Sequence, residues 1–550
     1  MYGAGLSEAY FVKTSGLTKN TDDDIACSSI KRVSKRLCAV VLMAVLSTAI
    51  ATANASTLLT NAKIIDGSGT PAIEGAVRID GDRIVAIGEL KAMAGEQVID
   101  VNGLSLAPGF IDTHSHHDDG LQTNKDALPL LSQGITTIVL GQDGGHEFPL
   151  AEAFTEFEEH PASVNIASYV GHNTLRDFVM GEDFNRHATD EELDGMRTLL
   201  TKELAAGALG LSTGLEYEPG LHSNADEVLV LAQHTADAGG RYISHIRSED
   251  RYFWEAIEEI ISIGKATGMP VQISHLKLAA KASWGETQRL LDSLDKARTD
   301  GVQITADIYP YEYWESTIWV LLPDRDADDL EEIQFVLDEL TPADGIIFTV
   351  YEPNPSYVGK TVEEIAVING LSERETVSLL MKDSRAWSAK HDGKSAESIM
   401  GRSMRDEDIA ALLTWPHINL CTDGGYTGHP RGFGAYPRVF AHFVKQMKVL
   451  DVESAVQRMT SNAARNMGFE DRGVIRVGAI ADLVLFDPGS IRDHASLQKP
   501  QALSEGIVKV WVAGILAFDH GTSTEARPGR VLRRPGGSLN DSSNESERVQ

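Results

Sequence analysis

Between residues 104 and 425 the chain alternates short apolar runs with longer amphipathic stretches. The runs are Leu106–Asp112, Thr136–Leu140, Asn165–Val170, Ala208–Leu215, Arg241–Ser244, Pro270–Ser274, Gln303–Ile308 and Ile418–Thr422. Short apolar runs separated by helix-length segments are the pattern of parallel strands with covering helices. Eight such units, each ending on polar or ionisable residues, predict a (β/α)8 TIM barrel with its chemistry at the strand C-termini. The competing fold is a doubly wound open sheet, which would gather its ligands at one switch point rather than from many strands.

The first run leads into His114-Ser115-His116-His117-Asp118-Asp119. Residues i and i+2 of a strand share a face, so His114 and His116 can reach one cation together. The fifth run ends at Ser244-His245, the sixth at Ser274-His275 and the eighth at Thr422-Asp423-Gly424. A lone histidine at a strand end is usually structural. Four histidines and an aspartate converging from strands 1, 5, 6 and 8 of one barrel point instead to a metal centre. Imidazole and carboxylate donors suit Zn2+, as one ion or two, without excluding other first-row metals.

The chain has 550 residues, enough for one large core and a smaller domain. Its net charge of -31 argues against nucleic acid or an anionic membrane as partner; the expected partner is a small-molecule substrate, whose charge this balance does not predict. Basic Lys31, Arg32, Lys35 and Arg36 precede an apolar run from Leu37 to Ala53 that ends in Ala53-Asn54-Ala55. This is the arrangement of a secretory signal peptide and predicts an exported protein, periplasmic or secreted. After cleavage only Cys421 of the three cysteines remains, so no intramolecular disulfide is available. No second stretch is apolar enough to span a membrane. Residues 56–106 and 470–525 share short alternating strands with Asp-Gly turns and predict one small β-sandwich built from both ends of the mature chain. The barrel is expected over 107–469. Its seventh connection, about 314–415, is too long for one β/α unit and reads as an inserted subdomain or lid. Residues 526–550 read as a flexible tail.

These motifs resemble the amidohydrolase superfamily. Pro108–Asp119, Gly210–Gly220, His245–Glu249, Ser274–Lys277, Asp307–Tyr311, His429-Pro430-Arg431 and Thr460–Arg465 resemble its N-acyl-D-amino-acid deacylases, or D-aminoacylases. The resemblance covers about residues 57–520. It implies a barrel flanked by a β-sandwich, metal dependence and hydrolysis of a linear amide bond. Many D-aminoacylases carry a cysteine ligand after strand 2, where this chain has Gly141-Gln142-Asp143-Gly144. In the wider superfamily strand 4 supplies the ligand that bridges two metals. Glu216 is therefore the first candidate for the bridge, Asp143 the runner-up and Glu218 the third. Asp423 is expected to act as general acid and base for a water activated by the metal. The resemblance assigns Lys277 and Tyr309 to the substrate carboxylate. An arginine found in some members just beyond the tyrosine is absent here, so either the anchor is weaker, or Arg247 or Arg431 supplies the charge, or the substrate differs. Tyr311, Tyr313, Trp314 and Trp319 suit either an apolar substrate pocket or ordinary packing. Competing functions are a cyclic amidase of the dihydroorotase or hydantoinase kind, a dipeptidase acting on D-residues and a non-catalytic binding protein. The first is disfavoured because those relatives use a strand 4 lysine.

Overall fold

The computed structural model describes residues 56–535, so the expected signal segment lies outside the described residues. Eight strands form the barrel: Phe110–Asp112, Ile135–Leu140, Asn165–Ser168 continued by Val170–Gly171, Gly210–Gly214, Arg241–His245, Val271–Ile273, Ile304–Ile308 and Ile418–Leu420. Each pairs in parallel with the next, with Gly210 opposite Arg241, Tyr242 opposite Val271 and Ala306 opposite Ile418. Strand 8 meets strand 1 just beyond the strand ends, where Asp423 N–H donates to His114 O (2.9 Å) and His116 N–H to Gly424 O (3.0 Å). The closure therefore lies in the segments that carry the expected ligands.

The helices between strands follow from sequence signals. Helix Asp190–Ala206 starts with a Thr189/Glu192 capping box and stops at Gly207, whose φ of 110° favours glycine. Helix Phe253–Thr267 buries Phe253, Ala256, Ile257, Ile260, Ile263 and Gly264, the three- and four-residue spacing of one apolar stripe.

The two ends of the described chain meet in one nine-stranded sheet. Leu483–Phe486 runs antiparallel to Ser105–Pro108, with Leu483 opposite Pro108. A core including Leu59, Ile64, Val77, Leu106, Leu485 and Trp511 packs on this sheet. The single run Leu106–Asp112 divides here: Ser105–Pro108 belongs to the terminal sheet and Phe110–Asp112 to the barrel. Gly109 is the joint, since a Cβ there would lie 2.3 Å from Thr136 Oγ1.

Between strands 7 and 8 an inserted subdomain holds a three-stranded sheet of Tyr313–Ser316, Glu397–Arg402 and Ile346–Tyr351, in that order. It has its own core of Ile318, Leu337, Phe348, Leu380 and Ile399 among others. It touches the loops at the barrel mouth: Glu315 accepts His429 N–H (2.9 Å) and Arg325 Nη2 donates to Glu216 O (2.6 Å). Residues 526–535 differ from the expected flexible tail, and the rest of that expectation lies outside the described residues. Ile166 N–H donates to Arg530 O (2.9 Å) and Leu532 N–H to Ile166 O (2.7 Å). Arg533 and Arg534 then donate to carbonyls at the C-terminus of helix Asp190–Ala206, where cations are favoured.

Candidate metal centre

His114 and His116 follow strand 1 and direct their Nε2 atoms to one place, 3.3 Å apart. Both sit on the same oxygen of Asp143, with Oδ2 at 3.3 Å and 3.2 Å. Both also lie 3.3 Å from Asp423 Oδ1, which comes from the end of strand 8. A second group adjoins the first. His275 Nε2 lies 3.4 Å from the other Asp143 oxygen, Oδ1, and 3.1 Å from His245 Nδ1. Asp143 therefore faces both groups, one oxygen to each.

Glu216 reaches the far side of His245, with Oε2 at 3.0 Å from Nε2. It contacts neither His114 nor His116 in this arrangement, and its Oε1 accepts Glu249 N–H (2.8 Å). Glu249 does for His275 what Glu216 does for His245: its Oε1 lies 2.9 Å from His275 Nδ1. Glu249 belongs to the His245–Glu249 motif, which by itself assigns it no role. Its position four residues after His245 was the available signal. Glu218 pairs loosely with His222 at 3.8 Å and belongs to neither histidine group.

Three of these residues carry a left-handed backbone: Asp143 (φ 52°), His275 (φ 35°) and Asp423 (φ 49°). Each such residue costs about 1–3 kcal/mol, and such strain gathers at functional sites. Gly144 follows Asp143 and must be glycine, because a Cβ would lie 2.3 Å from Asn173 Oδ1.

Burial works against the charge on Asp143, yet the imidazoles of His114 and His275 hold its carboxyl well below the usual range. Burial likewise opposes the charge on Asp423, but Arg431 and the neighbouring imidazoles depress it strongly. Burial raises Glu216, only partly offset by His245. His275 is lowered by burial and by Lys277, but Glu249, Asp423 and Asp143 pull it up to about 10. The cluster thus attracts positive charge strongly enough to overcome desolvation.

The donor set fits a cation better than a hydrogen-bond network. Ring nitrogens face each other at 3.1 and 3.3 Å, and two imidazoles share each of two carboxylate oxygens. Only one hydrogen can lie on each such line. Converging lone pairs around a metal account for the packing without requiring adjacent imidazolium ions. His114, His245, His275 and Asp423 are buried, while the His116 side chain is 40% exposed and marks the open side.

The expected substrate residues divide. Lys277 Nζ lies 2.5 Å from Glu249 Oε1 and 2.8 Å from His275 Nδ1. Arg431 Nη1 lies 2.6 Å from Asp423 Oδ2. The Tyr309 ring lies near both cations, with Lys277 Nζ 5.7 Å and the Arg431 guanidinium 4.6 Å from its centroid. Its hydroxyl is buried without a protein partner, as expected of a group that meets a ligand. Arg247 is committed elsewhere, donating to both oxygens of Glu259 (2.9 and 2.8 Å) and to Ser223 O. Trp314 and Trp319 donate to Ser403 and Ser384 within the insert, which favours packing as their role. Cys421 is buried and stands in neither histidine group.

The amidohydrolase family model matches residues 97–333 and 389–518. A D-aminoacylase of Alcaligenes xylosoxydans xylosoxydans is 33% identical over 506 residues, covering 87% of this chain and 97% of the relative. A D-aminoacylase crystal structure superposes with a TM-score of 0.77 at 30% identity, over 87% of this chain and 99% of that one. An N-acyl-D-glutamate deacylase from Bordetella bronchiseptica, solved with zinc and a phosphonate inhibitor, gives 0.76 at 31% identity over the same shares. With the barrel, the converging ligands and these matches together, the chain belongs to the amidohydrolase family, among the D-aminoacylases and N-acyl-D-amino-acid deacylases.

Proposed function

We propose that this protein hydrolyses the amide bond of N-acyl-D-amino acids at a zinc centre held by His114, His116, Asp143, His245, His275 and Asp423. The observation that carries the reading is Asp143, whose two oxygens face two histidine groups at 3.2–3.4 Å. That arrangement supports Asp143, rather than Glu216, as the carboxylate that would be shared if two ions bind. Glu216 and Glu249 then orient His245 and His275 by accepting from their outer ring nitrogens. Replacing a thiolate by a carboxylate at this position makes the site harder and widens the metals it accepts.

Zinc held by these residues would supply the acidity that makes hydroxide available near neutral pH and the polarisation of the scissile carbonyl. Asp423 Oδ1 faces the histidine pair while Arg431 holds Oδ2, so the carboxylate is fixed and ionised at neutral pH. It accepts a proton from the attacking water and returns it to the leaving amine nitrogen. Lys277, Arg431 and the free Tyr309 hydroxyl form the receptor for the substrate α-carboxylate. The preference for D-substrates is supported by the relatives, since geometry without a ligand carries no handedness.

The test is an assay of zinc-loaded protein on paired N-acetyl-D- and N-acetyl-L-amino acids. Turnover of the D-series is expected. Equal rates on both series, or none on either, would sink the reading. The basic and apolar run before Ser56 supports export, and a mature N-terminus at Ser56 is the expected product. No helix among the described residues is long and apolar enough to cross a membrane.

A further inference from the structure

We infer that Asp112 and Asp307 are positioning residues that brace the backbone of two ligand-bearing segments. The inference rests on the reading of the cluster as a metal centre. Both carboxylates are fully buried inside the barrel and belong to neither histidine group. Asp307, on strand 7, accepts the backbone N–H of His275 from the neighbouring strand at 2.5 Å. Its other oxygen accepts from Gln272 Nε2 (2.7 Å) and Thr113 Oγ1 (3.2 Å). Asp112, on strand 1, accepts Thr422 N–H (2.8 Å) and Thr422 Oγ1 (2.6 Å) from the end of strand 8. The same carboxylate accepts His114 N–H at 3.3 Å. Thr422 Oγ1 in turn accepts Gly424 N–H (3.2 Å), so Asp423 is bracketed on both sides.

The pattern follows the strain. His275 and Asp423 are two of the three cluster residues with positive φ, and each has a buried carboxylate of the adjacent strand fixing it or its neighbour. The third, Asp143, has a milder version: Ser212 Oγ on strand 4 accepts Gly144 N–H at 3.1 Å. A left-handed residue with a side chain persists only where its surroundings over-determine it. An acceptor on a rigid strand, aimed at an N–H in or beside that residue, supplies the constraint. Interior carboxylates serving only to join strands would have no reason to meet the N–H groups of the ligand-bearing turns.

The test uses the full-length protein, stripped with a chelator and titrated with Co2+, whose visible spectrum reports ligand geometry. Asp307→Asn and Asp112→Asn are compared with Asp408→Asn. Asp408 is also a buried carboxylate, accepting Thr287 Oγ1 (2.7 Å) and Gly285 N–H (3.1 Å), but it lies outside the cluster. The first two variants are expected to weaken cobalt binding by about tenfold or more and to alter the spectrum. Asp408→Asn is expected to lower the melting temperature while leaving affinity and spectrum unchanged. Thr422→Val keeps both carboxylates and removes one brace, so it decides the matter if the aspartate variants fail to fold; a severalfold loss with a changed spectrum is expected. Wild-type affinity and spectrum in the aspartate variants, or in Thr422→Val if those do not fold, would overturn the inference. So would equal cobalt defects in Asp408→Asn. A wild-type protein that binds no cobalt would instead sink the metal reading itself, and the inference with it.

Discussion

Two buried ionic clusters in this molecule use the same residue types and obey opposite rules. Between helices His172–Met180 and Ala225–Asp237, Arg176 Nη1 donates to both oxygens of Glu227 (2.6 and 2.7 Å). Its Nη2 donates to two backbone carbonyls, and His172 Nε2 meets Glu227 Oε1 at 2.8 Å. Every one of these contacts joins a donor to an acceptor. At the barrel mouth, ring nitrogens face ring nitrogens and share carboxylate oxygens. In the first pattern each contact joins a donor to an acceptor, although Arg176 Nε and His172 Nδ1 have no partner among the described residues, and the pattern serves stability. The second is open until something positive enters it. Presence of buried histidine and carboxylate does not separate the two; the pairing of donors with acceptors does.

That contrast can be broken by mutation. The largest effect is expected from Asp423→Asn, which removes the proton acceptor and should slow turnover by about 10²–10⁴-fold. Metal content measured alongside should fall far less than the rate; loss of metal in step with rate would make Asp423 only a ligand. Glu227→Gln should do the reverse, destabilising the fold by about 3–5 kcal/mol while metal content and rate per folded molecule stay unchanged. Its pH dependence has a defined sign. Burial opposes the charge on Glu227, but His172 and Arg176 hold its carboxyl down at about 2. A depressed carboxylate stabilises above its unfolded pKa, near 4.5, and that contribution vanishes as pH falls towards 2. The gap in melting temperature between wild type and variant should therefore close over that window.

Next in size, Asp143→Ala should lose more bound metal than Glu216→Ala, because Asp143 faces both histidine groups while Glu216 reaches only the far side of His245. A loss of about 10–100-fold in affinity is expected for Glu216→Ala. Metal analysis giving the opposite order would return the bridge to Glu216. The smallest change is expected from Lys277→Met, which should raise KM for carboxylate-bearing substrates by about tenfold and alter kcat less. An unchanged KM would leave the carboxylate to Arg431 and Tyr309.

Much of the barrel was legible because its signals are local. The apolar runs from Thr136 to Thr422 lie within a few residues of the observed strands, since short buried β-segments differ sharply from their amphipathic helical neighbours. Pro108 and Gly109 punctuate the run Leu106–Asp112, yet its division between two sheets was not legible, because hydrophobicity does not record which sheet a residue joins. Residues 526–535 misled for a related reason. Their Gly and Arg content suggests a loose tail, while the contacts that hold them are backbone bonds to strand 3 and arginines on helix-terminal carbonyls, all far away in the chain.

By itself the sequence determined the eightfold alternation, the imidazoles at strand ends and the aspartate after the last strand, each written within a few adjacent residues. Only the tertiary structure decided which carboxylate faces which histidine. Asp143, Glu216 and Glu249 stand on three different strand-end loops, and their roles depend on ångström-scale distances to histidines from other strands. Arg247 shows the same limit: its charge suits a substrate, yet Glu259, on a neighbouring helix, takes it. Coordination and charge pairing act over a few ångströms in space, and residues far apart in sequence acquire that proximity only when the barrel closes.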